Sequence, residues 1–392
     1  MQQAFSPDQF QGYTRAGGPP GVRNHVLLLS LSGLENAAAR ALHRLFPTTI
    51  LAGSTYGRGH VGEDQVFQRH MMQALATHPN IGACLVLGPD EKLVAEVGRA
   101  LDDAQRPWAG LSLQGAREDH FEFLNRAARE TARLLHRTSR QPRVPVQISQ
   151  LAIAIECGHS DATSGIVSNP LAGAFSVLLV AAGGRAVFSE TLEWTGTGDV
   201  LAARAATPEV AKDIRNALAR RHATAVAAGH DVQEGNPGPQ NHAGGITTLE
   251  EKSLGAIAKG GNQPIAGLLR EGAGLPSASG LYLMDTPCLS PESITSMVAS
   301  GAQLVMFTTG QGNPYGSALA PTIKISANPA TVERLGEQID FDASAVMAGQ
   351  ASVADLVPEL RALVMKIASG AMTWSEVCGE TTESISRLGP SI

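Results

Sequence analysis

The sequence is poor in aromatic residues: Phe, Trp and Tyr make up 4% of its 392 residues. Proteins that stack nucleic-acid bases depend on such side chains, so that class is disfavoured. A basic surplus is also missing. Thirty Lys and Arg stand against 36 Asp and Glu, a net charge of −6, whereas a nucleic-acid surface needs positive charge. Cysteine is scarce, with only Cys84, Cys157, Cys288 and Cys378. No CxxC occurs, which argues against a zinc ribbon or a disulfide scaffold. Reduced thiols in a cytoplasmic protein are the expectation, with Cys288 and Cys378 as ordinary thiols. No apolar run reaches the about 20 residues of a membrane span. The longest lies near Leu171 to Ala182, and MQQAFSPDQFQGYTRAGG at the start holds no apolar leader. Membrane insertion and secretion are therefore not expected. GxSxG, HExxH and Walker A patterns are absent as well.

What is present suits a globular protein. Hydrophobic residues are 43%, enough to bury a large core, and the length suggests two domains. Apolar strands and amphipathic helices alternate through the first third. His25–Ser30, Thr48–Ala52, Ile81–Leu87 and Trp108–Leu113 read as strands. Between them, Glu35–Phe46, Glu63–His78 and Asp90–Asp103 read as helices, and Arg117–His136 as a fourth. This alternation predicts an α/β fold, with a doubly wound, mostly parallel sheet over residues 1–138. The basic, proline-bearing stretch at 139–148 reads as a linker. Residues 149–392 read as a second, less regular α/β domain with long loops.

The densest polar constellation lies in ECGHSDATSG (156–165), at a predicted strand end before an apolar helix. Ligand sites of open α/β sheets gather at such carboxyl ends. Glu156, Cys157, His159 and Asp161 are all types that ligate transition metals. Asp161 or Ser160 would serve equally well as a cap of the following helix. Glu190 and Glu193 in SETLEW follow the next strand, three apart. A carboxylate there suits a general base or metal ligand, though a solvated turn would look the same. The loop NPGPQNHAGG (236–245) offers Asn241, and Lys252 in the helix beyond it is a point charge for a carboxylate.

TTGQGNPYG (308–316) has GxGxxxG spacing with Pro314 inside, and no acidic residue follows at a strand end. It is a poor nicotinamide signature, so NAD is not expected. Its backbone N–H groups, with Gln311 and Asn313, suit a carboxylate, and Lys324 lies on the next strand. Arg23 and Asn24 in GVRNH, and Arg58 between Gly57 and Gly59, sit near strand ends, where a guanidinium meets anions. His70, His120 and His136 fall within helical patterns and read as ordinary helix residues.

Several of these motifs, taken in order, resemble the altronate/galactarate dehydratase family. They are GVRNH, ECGHSDATSG followed by NP, SETLE, NPGPQNHAGG-ITTLEEKSLG, GLYLMD, and TTGQGNPYG through P-x-IK. The resemblance runs from about Gly12 to about Asp342. YGR (56–58), TTLEEKSLG and TGQGN are similar to the (2R)-sulfolactate sulfo-lyase branch. The resemblance implies a lyase that removes water from a small hydroxy acid or sugar acid to give a 2-oxo acid. Alternatives are sulfite release from sulfolactate, and a non-catalytic paralogue that binds a sugar acid. It also implies ferrous iron or another divalent metal, a separate small SAF-type subunit, and a homodimer.

In this reading Cys157 and His159 serve the metal or the leaving group. Glu190 is the general base, with Asp161 as the alternative. Arg23, Arg58, Lys252 and Lys324 meet the substrate's anionic ends. Asn24, Ser160, Ser164, Asn241, Gln311 and Asn313 complete the candidate contacts. The family's His-x-x-Gly-Cys pattern is replaced by Ser54-Thr-Tyr-Gly57-Arg58, and a further Cys by Pro89. Of that thiol set only Cys157 remains, too few for a cysteine-bound iron–sulfur cluster.

Overall fold

The computed structural model describes residues 8–56, 59–232 and 235–389. Arg58 lies outside the described residues. The first part of the chain holds β1 (Gln9–Arg15), β2 (Gly18–Gly21), β3 (His25–Ser30), α1 (Asn36–Leu45), β4 (Ile50–Gly53) and α2 (Gly62–Ala76). β5 (Ile81–Gly88), α3 (Glu91–Asp103), β6 (Trp108–Ser112) and α4 (His120–Thr138) complete it.

The second part begins with β7 (Val144–Gln147), β8 (Ala152–Cys157), α5 (Asn169–Ala181) and β9 (Arg185–Phe188). α6 (Gly198–Ala203), α7 (Pro208–Ala227), α8 (Pro239–Ala243) and α9 (Leu249–Ile257) follow. Next come β10 (Ile265–Arg270), β11 (Gly280–Asp285), α10 (Ser290–Ala299), β12 (Leu304–Thr308) and β13 (Thr322–Ser326). The last are α11 (Pro329–Arg334), β14 (Phe341–Asp342), α12 (Ser344–Met347), α13 (Val353–Ala368) and α14 (Trp374–Cys378).

The alternation in the first part produces the expected parallel sheet, in the order β4-β3-β5-β6. Every residue of β5 is buried, because helices cover both faces. Met71, Leu75 and Leu101 of α2 and α3 pack on one face, and Leu42 and Phe123 of α1 and α4 on the other. α3 starts where Asp90 accepts the Leu93 amide at 2.9 Å, a side-chain cap.

The second sheet has seven parallel strands, β10-β11-β9-β8-β12-β13-β14. β10 and β14, at its edges, were not anticipated. β1 and β2 were also unanticipated, and they join β7 in a small antiparallel sheet. Residues 139–148, expected as a linker, thus contain a strand paired from Gln9↔Gln147 to Gly12↔Val144. The two large sheets share one apolar core, in which Leu27 and Val86 belong to the same cluster as Ala154, Met284 and Phe307.

With the π-helical turn Ser164–Ser168 before it, α5 belongs to an 18-residue helical stretch. By length and composition alone it could cross a membrane, a longer apolar helix than the sequence run suggested. Here Leu171, Phe175 and Leu179 are fully buried in the fold. Gly173 makes its packing possible: a Cβ there would lie 2.2 Å from the Ala258 carbonyl oxygen. α5 can therefore lie directly on the turn Ala258–Gly260.

The chain leaves β8 for β9 on one side and returns to β12 on the other. The carboxyl ends of β8 and β12 thus frame a topological switch point, where ligands of open α/β sheets bind. After α14 a final stretch crosses both parts of the molecule. Its Glu383 accepts from Thr295 and Ala318, and its Leu388 amide donates to Asp64 at 3.2 Å.

Candidate functional site

β8 ends on Glu156 and Cys157, both fully buried. Glu156 accepts the Cys157 amide at 3.0 Å through Oε1 and the Ser293 hydroxyl at 2.5 Å through Oε2. Ser293 lies on α10 and also meets the Ser189 hydroxyl. β9 delivers Glu190 beside Glu156, and the two carboxyl groups are hydrogen-bonded to one another. Glu190 has φ +67 and His159 has φ +49, left-handed conformations that are costly outside glycine and concentrate at functional sites.

Beneath these groups sits Lys259, on the turn pressed against Gly173, with no exposed surface. Its ammonium donates to Cys157 Sγ and to Glu193 Oε2, both at 3.1 Å, and stands 3.8 Å from Glu156. Cys157 in turn donates to Glu193 at 3.3 Å. Three glutamates, a thiol and a lysine therefore share one nearly dry space.

The charges sort themselves by neighbour. Burial drives the Glu190 carboxyl well above the ordinary range, and the Glu156 and Glu193 charges push the same way. Burial also acts on Glu193, but Lys259 and Lys252 outweigh it and hold this carboxyl below the usual value. Glu156 is raised, chiefly by burial. Burial and the Glu193 charge push the Cys157 thiol up to about 12. Lys259 loses hydration, yet the thiol and carboxylates around it keep its pKa well above that of a free lysine.

A cavity of about 420 Å³ opens over Glu193, walled by Gly158, His159, Ser160, Asn241 and Lys252. Lys252 donates to Asn236 at 2.7 Å and faces the cavity from α9. His159 is exposed, its Nδ1 lying 2.7 Å from the Gly312 carbonyl oxygen. Among the expected residues, Cys157, Glu190, His159, Ser160, Asn241 and Lys252 thus belong to one region.

The others, Gln311 apart, make their side-chain bonds elsewhere. Asp161 Oδ1 accepts from Thr163 and from the amide and hydroxyl of Ser164, and its Oδ2 from Asn328. That pattern caps the helical segment ahead of α5, the capping role that the sequence offered for Asp161. Gln311 donates to the carbonyl of Gln240 on the cavity wall and so ties two loops together, whereas Asn313 accepts the Tyr315 amide within its own loop. Asn241, on the cavity wall, engages its side-chain amide with the Gly238 amide and the Ser160 carbonyl.

Arg23, expected at an anionic substrate group, is forked onto Glu376 at 2.8 and 2.9 Å and onto backbone carbonyls. Asn24 donates to Thr138. Lys324 is buried beneath the glycine loop, donating to the Pro314 carbonyl at 2.8 Å. Lys259 and Ser293 were missed. A lysine set in AIAKGG, with apolar and small neighbours only, was the available signal for the first.

Glu156, Cys157 and Glu190 bring one donor atom each within 4.8 Å of the others, close enough to hold a metal ion. His159, expected to pair with Cys157 as a ligand, is not in this set. Two adjoining buried carboxyl groups require a positive charge between them, a proton or a metal, so this pair fits a hard divalent cation. The thiol fits less well, since it holds its proton and touches an ammonium.

Residues 148–391 match the family model for the C-terminal region of D-galactarate/altronate dehydratase. The chain belongs to the D-galactarate/altronate dehydratase family. Residues 12–139 match the second-domain model of the same family. The (2R)-sulfolactate sulfo-lyase subunit beta of Chromohalobacter salexigens is 32% identical, over 97% of each chain. Altronate dehydratase of Escherichia coli is 32% identical, over 94% of this chain and 75% of its own length. Galactarate dehydratase of the same species is 32% identical over 64% of this chain and 45% of that protein. These relatives of the family member described here are two dehydratases and a sulfo-lyase, all lyases by name.

Proposed function

We propose that this chain is a lyase that removes water from the C2–C3 bond of a small 2-hydroxy acid or sugar acid. The observation that carries the reading is the convergence of Glu190, Glu193 and Lys259 under a cavity rimmed by Lys252. An α,β-elimination needs a base for the C2 proton, an acid for the leaving hydroxyl, and positive charge for the enolate.

Paired groups whose environments push their pKa values apart are natural acid and base partners. Glu193, held ionised by Lys259, takes the C2 proton. The electron pair left behind forms the C2–C3 double bond. Glu190, kept protonated by burial and by Glu156, gives its proton to the departing hydroxyl, which leaves as water. Lys259 stabilises the negative charge as it develops, and Lys252 receives the substrate carboxylate. The enol product then ketonises to the 2-oxo acid. A divalent cation such as ferrous iron, held by Glu156 and Glu190 with Cys157 beside them, would take the place of the Glu190 proton and supply Lewis-acid help to the departing hydroxyl in its stead.

The correspondence with a subunit beta over 97% of both chains favours a second reading, with sulfite as the leaving group and a small SAF-type subunit as partner. Both readings meet one assay. The purified chain, with ferrous iron under anaerobic conditions and with or without a small subunit, is offered sugar acids, small hydroxy acids and sulfolactate. A 2-oxo acid is the expected product, and sulfite release selects the second reading. A folded, iron-supplied, subunit-supplied protein that gives no 2-oxo acid would overturn both and leave a binding paralogue.

A further inference from the structure

The amino end of the first sheet carries a cavity of about 400 Å³. It lies between β1, the start of β5, the turn from α3 into β6, and the end of α4. Four arginines line it: Arg15, Arg106, Arg137 and Arg140. Every other residue of its wall is uncharged, and none is aromatic.

Arg137 and Arg140 are exposed at the rim, whereas Arg15 and Arg106 are buried, with 9% and 7% exposure. Charges that far from water are ordinarily paired with opposite ones. Arg15 instead donates to the carbonyls of Pro79 and Arg23 and to the Gln141 side chain. Arg106 reaches the Thr77 carbonyl at 3.4 Å, and its Nε has no partner. Burial pulls Arg106 down to about 10, and burial together with the Arg106 charge pulls Arg15 down to about 9. Among the described residues no carboxylate offsets either shift. Asp102 and Asp103, the acids nearest Arg106 in the chain, do not line the cavity, and Asp102 accepts from the Trp108 indole.

The carboxyl ends of α3 and α4 point this way, but a helix end carries only about half a unit of negative charge. Two such ends leave most of four positive charges unmatched. Residues 1–7 hold no acid. Tyr56 and Arg387, close in sequence to the other undescribed residues of this part, stack at the sheet's carboxyl end, about 20 Å from Gly82 along β5. The unmatched charge therefore calls for an anion from solution. Arginine forks fit the oxygens of carboxylates and phosphates. A wall without aromatic rings gives a nucleoside base nothing to stack on.

We infer that this cavity is a second ligand site, taking one small oxyanion of two or more charges, a phosphate ester or a polycarboxylate. It is separate from the Glu190–Lys259 cluster and does not depend on the reaction proposed there. Calorimetric titration of the full chain at fixed ionic strength with glucose 6-phosphate, tricarballylate and glucose tests it. Saturable binding of an anion, one per chain at this cavity, is expected, and the tighter of the two anions names the source. The double variant Arg137→Ser, Arg140→Ser, altered only at the exposed rim, should weaken it at least tenfold while the protein still melts cooperatively. Arg129→Ser, at an exposed arginine elsewhere on α4, should leave it unchanged, as should Lys252→Met at the other cavity. Arg106→Gln should also weaken it, and the rim variant decides the matter where Arg106→Gln does not fold. Absence of saturable binding by both anions would overturn the inference. So would binding that the rim variant leaves intact, or that Arg129→Ser or Lys252→Met weakens as much. Glucose binding as tightly as its phosphate would overturn the ligand class.

Discussion

Lys259 and Lys324 are both buried without exposed surface, and both lie in the second part of the molecule. Their surroundings differ. Lys259 meets a thiol and carboxylates within 3.1–3.8 Å. Lys324 meets one carbonyl, with the Glu380 carboxylate at 4.0 Å. Burial lowers the pKa of Lys324, and its neighbours do not make up the loss. At Lys259 the same penalty is more than offset. Burial of a cation thus does not by itself mark chemistry. A set of anions gathered around it, more than it needs for neutrality, does.

The sharpest way to break this comparison is to remove each charge in turn. Lys259→Met should cut turnover by about 10³-fold, the scale of losing a preorganised electrostatic donor. Lys324→Met should change initial rates by only a few-fold. Equal losses would show that the two lysines differ in setting and not in role.

A third buried cation, Arg23, extends the contrast to stability. Its fork onto Glu376 is structural, so Arg23→Met should cost about 3 kcal/mol in denaturant unfolding by stranding the carboxylate. The folded fraction should keep its rate. Within the cluster, Glu190→Gln and Glu193→Gln should each slow turnover by about 10²-fold, but differently. Glu193→Gln should abolish exchange of the substrate's C2 hydrogen with solvent deuterium. Glu190→Gln should retain that exchange and lose elimination. NMR of the recovered substrate distinguishes them.

The smallest effect is alkaline. Lys324 has a folded pKa below its unfolded value, so the unfolded chain binds more protons as pH nears 10.5. Stability contributed by this group therefore rises with pH in that window. Unfolding midpoints of the unaltered chain should gain on those of Lys324→Met there. For Lys259, whose folded pKa is raised, the contribution is full below 10.5 and is lost above it.

Much of the architecture was legible because parallel strands buried on both faces write themselves as apolar runs. β3, β5 and β8 are of that kind. β1 and β2 were not legible, since a polar, glycine- and proline-bearing ribbon becomes a strand only through its partner β7. In the site, Cys157 and Glu190 stood out because each follows an apolar strand at its carboxyl end. Lys259 did not, since it comes from a turn brought in by the packing of α5 through Gly173. Arg23 misled for the opposite reason. It sits beside a strand as a ligand-binding arginine would, and only tertiary structure shows Glu376 filling its fork.

The pairing of Arg23 with Glu376 spans 353 residues, and the Gln11 amide reaches Ser369 across 358. On a ribosome adding about 5–20 residues per second, these partners are separated by roughly twenty seconds to over a minute. During that time β1 gains its partner strand β7 but not the helix end near Ser369. Contacts between the opening ribbon and the chain's far end are therefore among the last that can form. The protein's yield in cells should depend on chaperone supply more than the regular sheets alone would suggest.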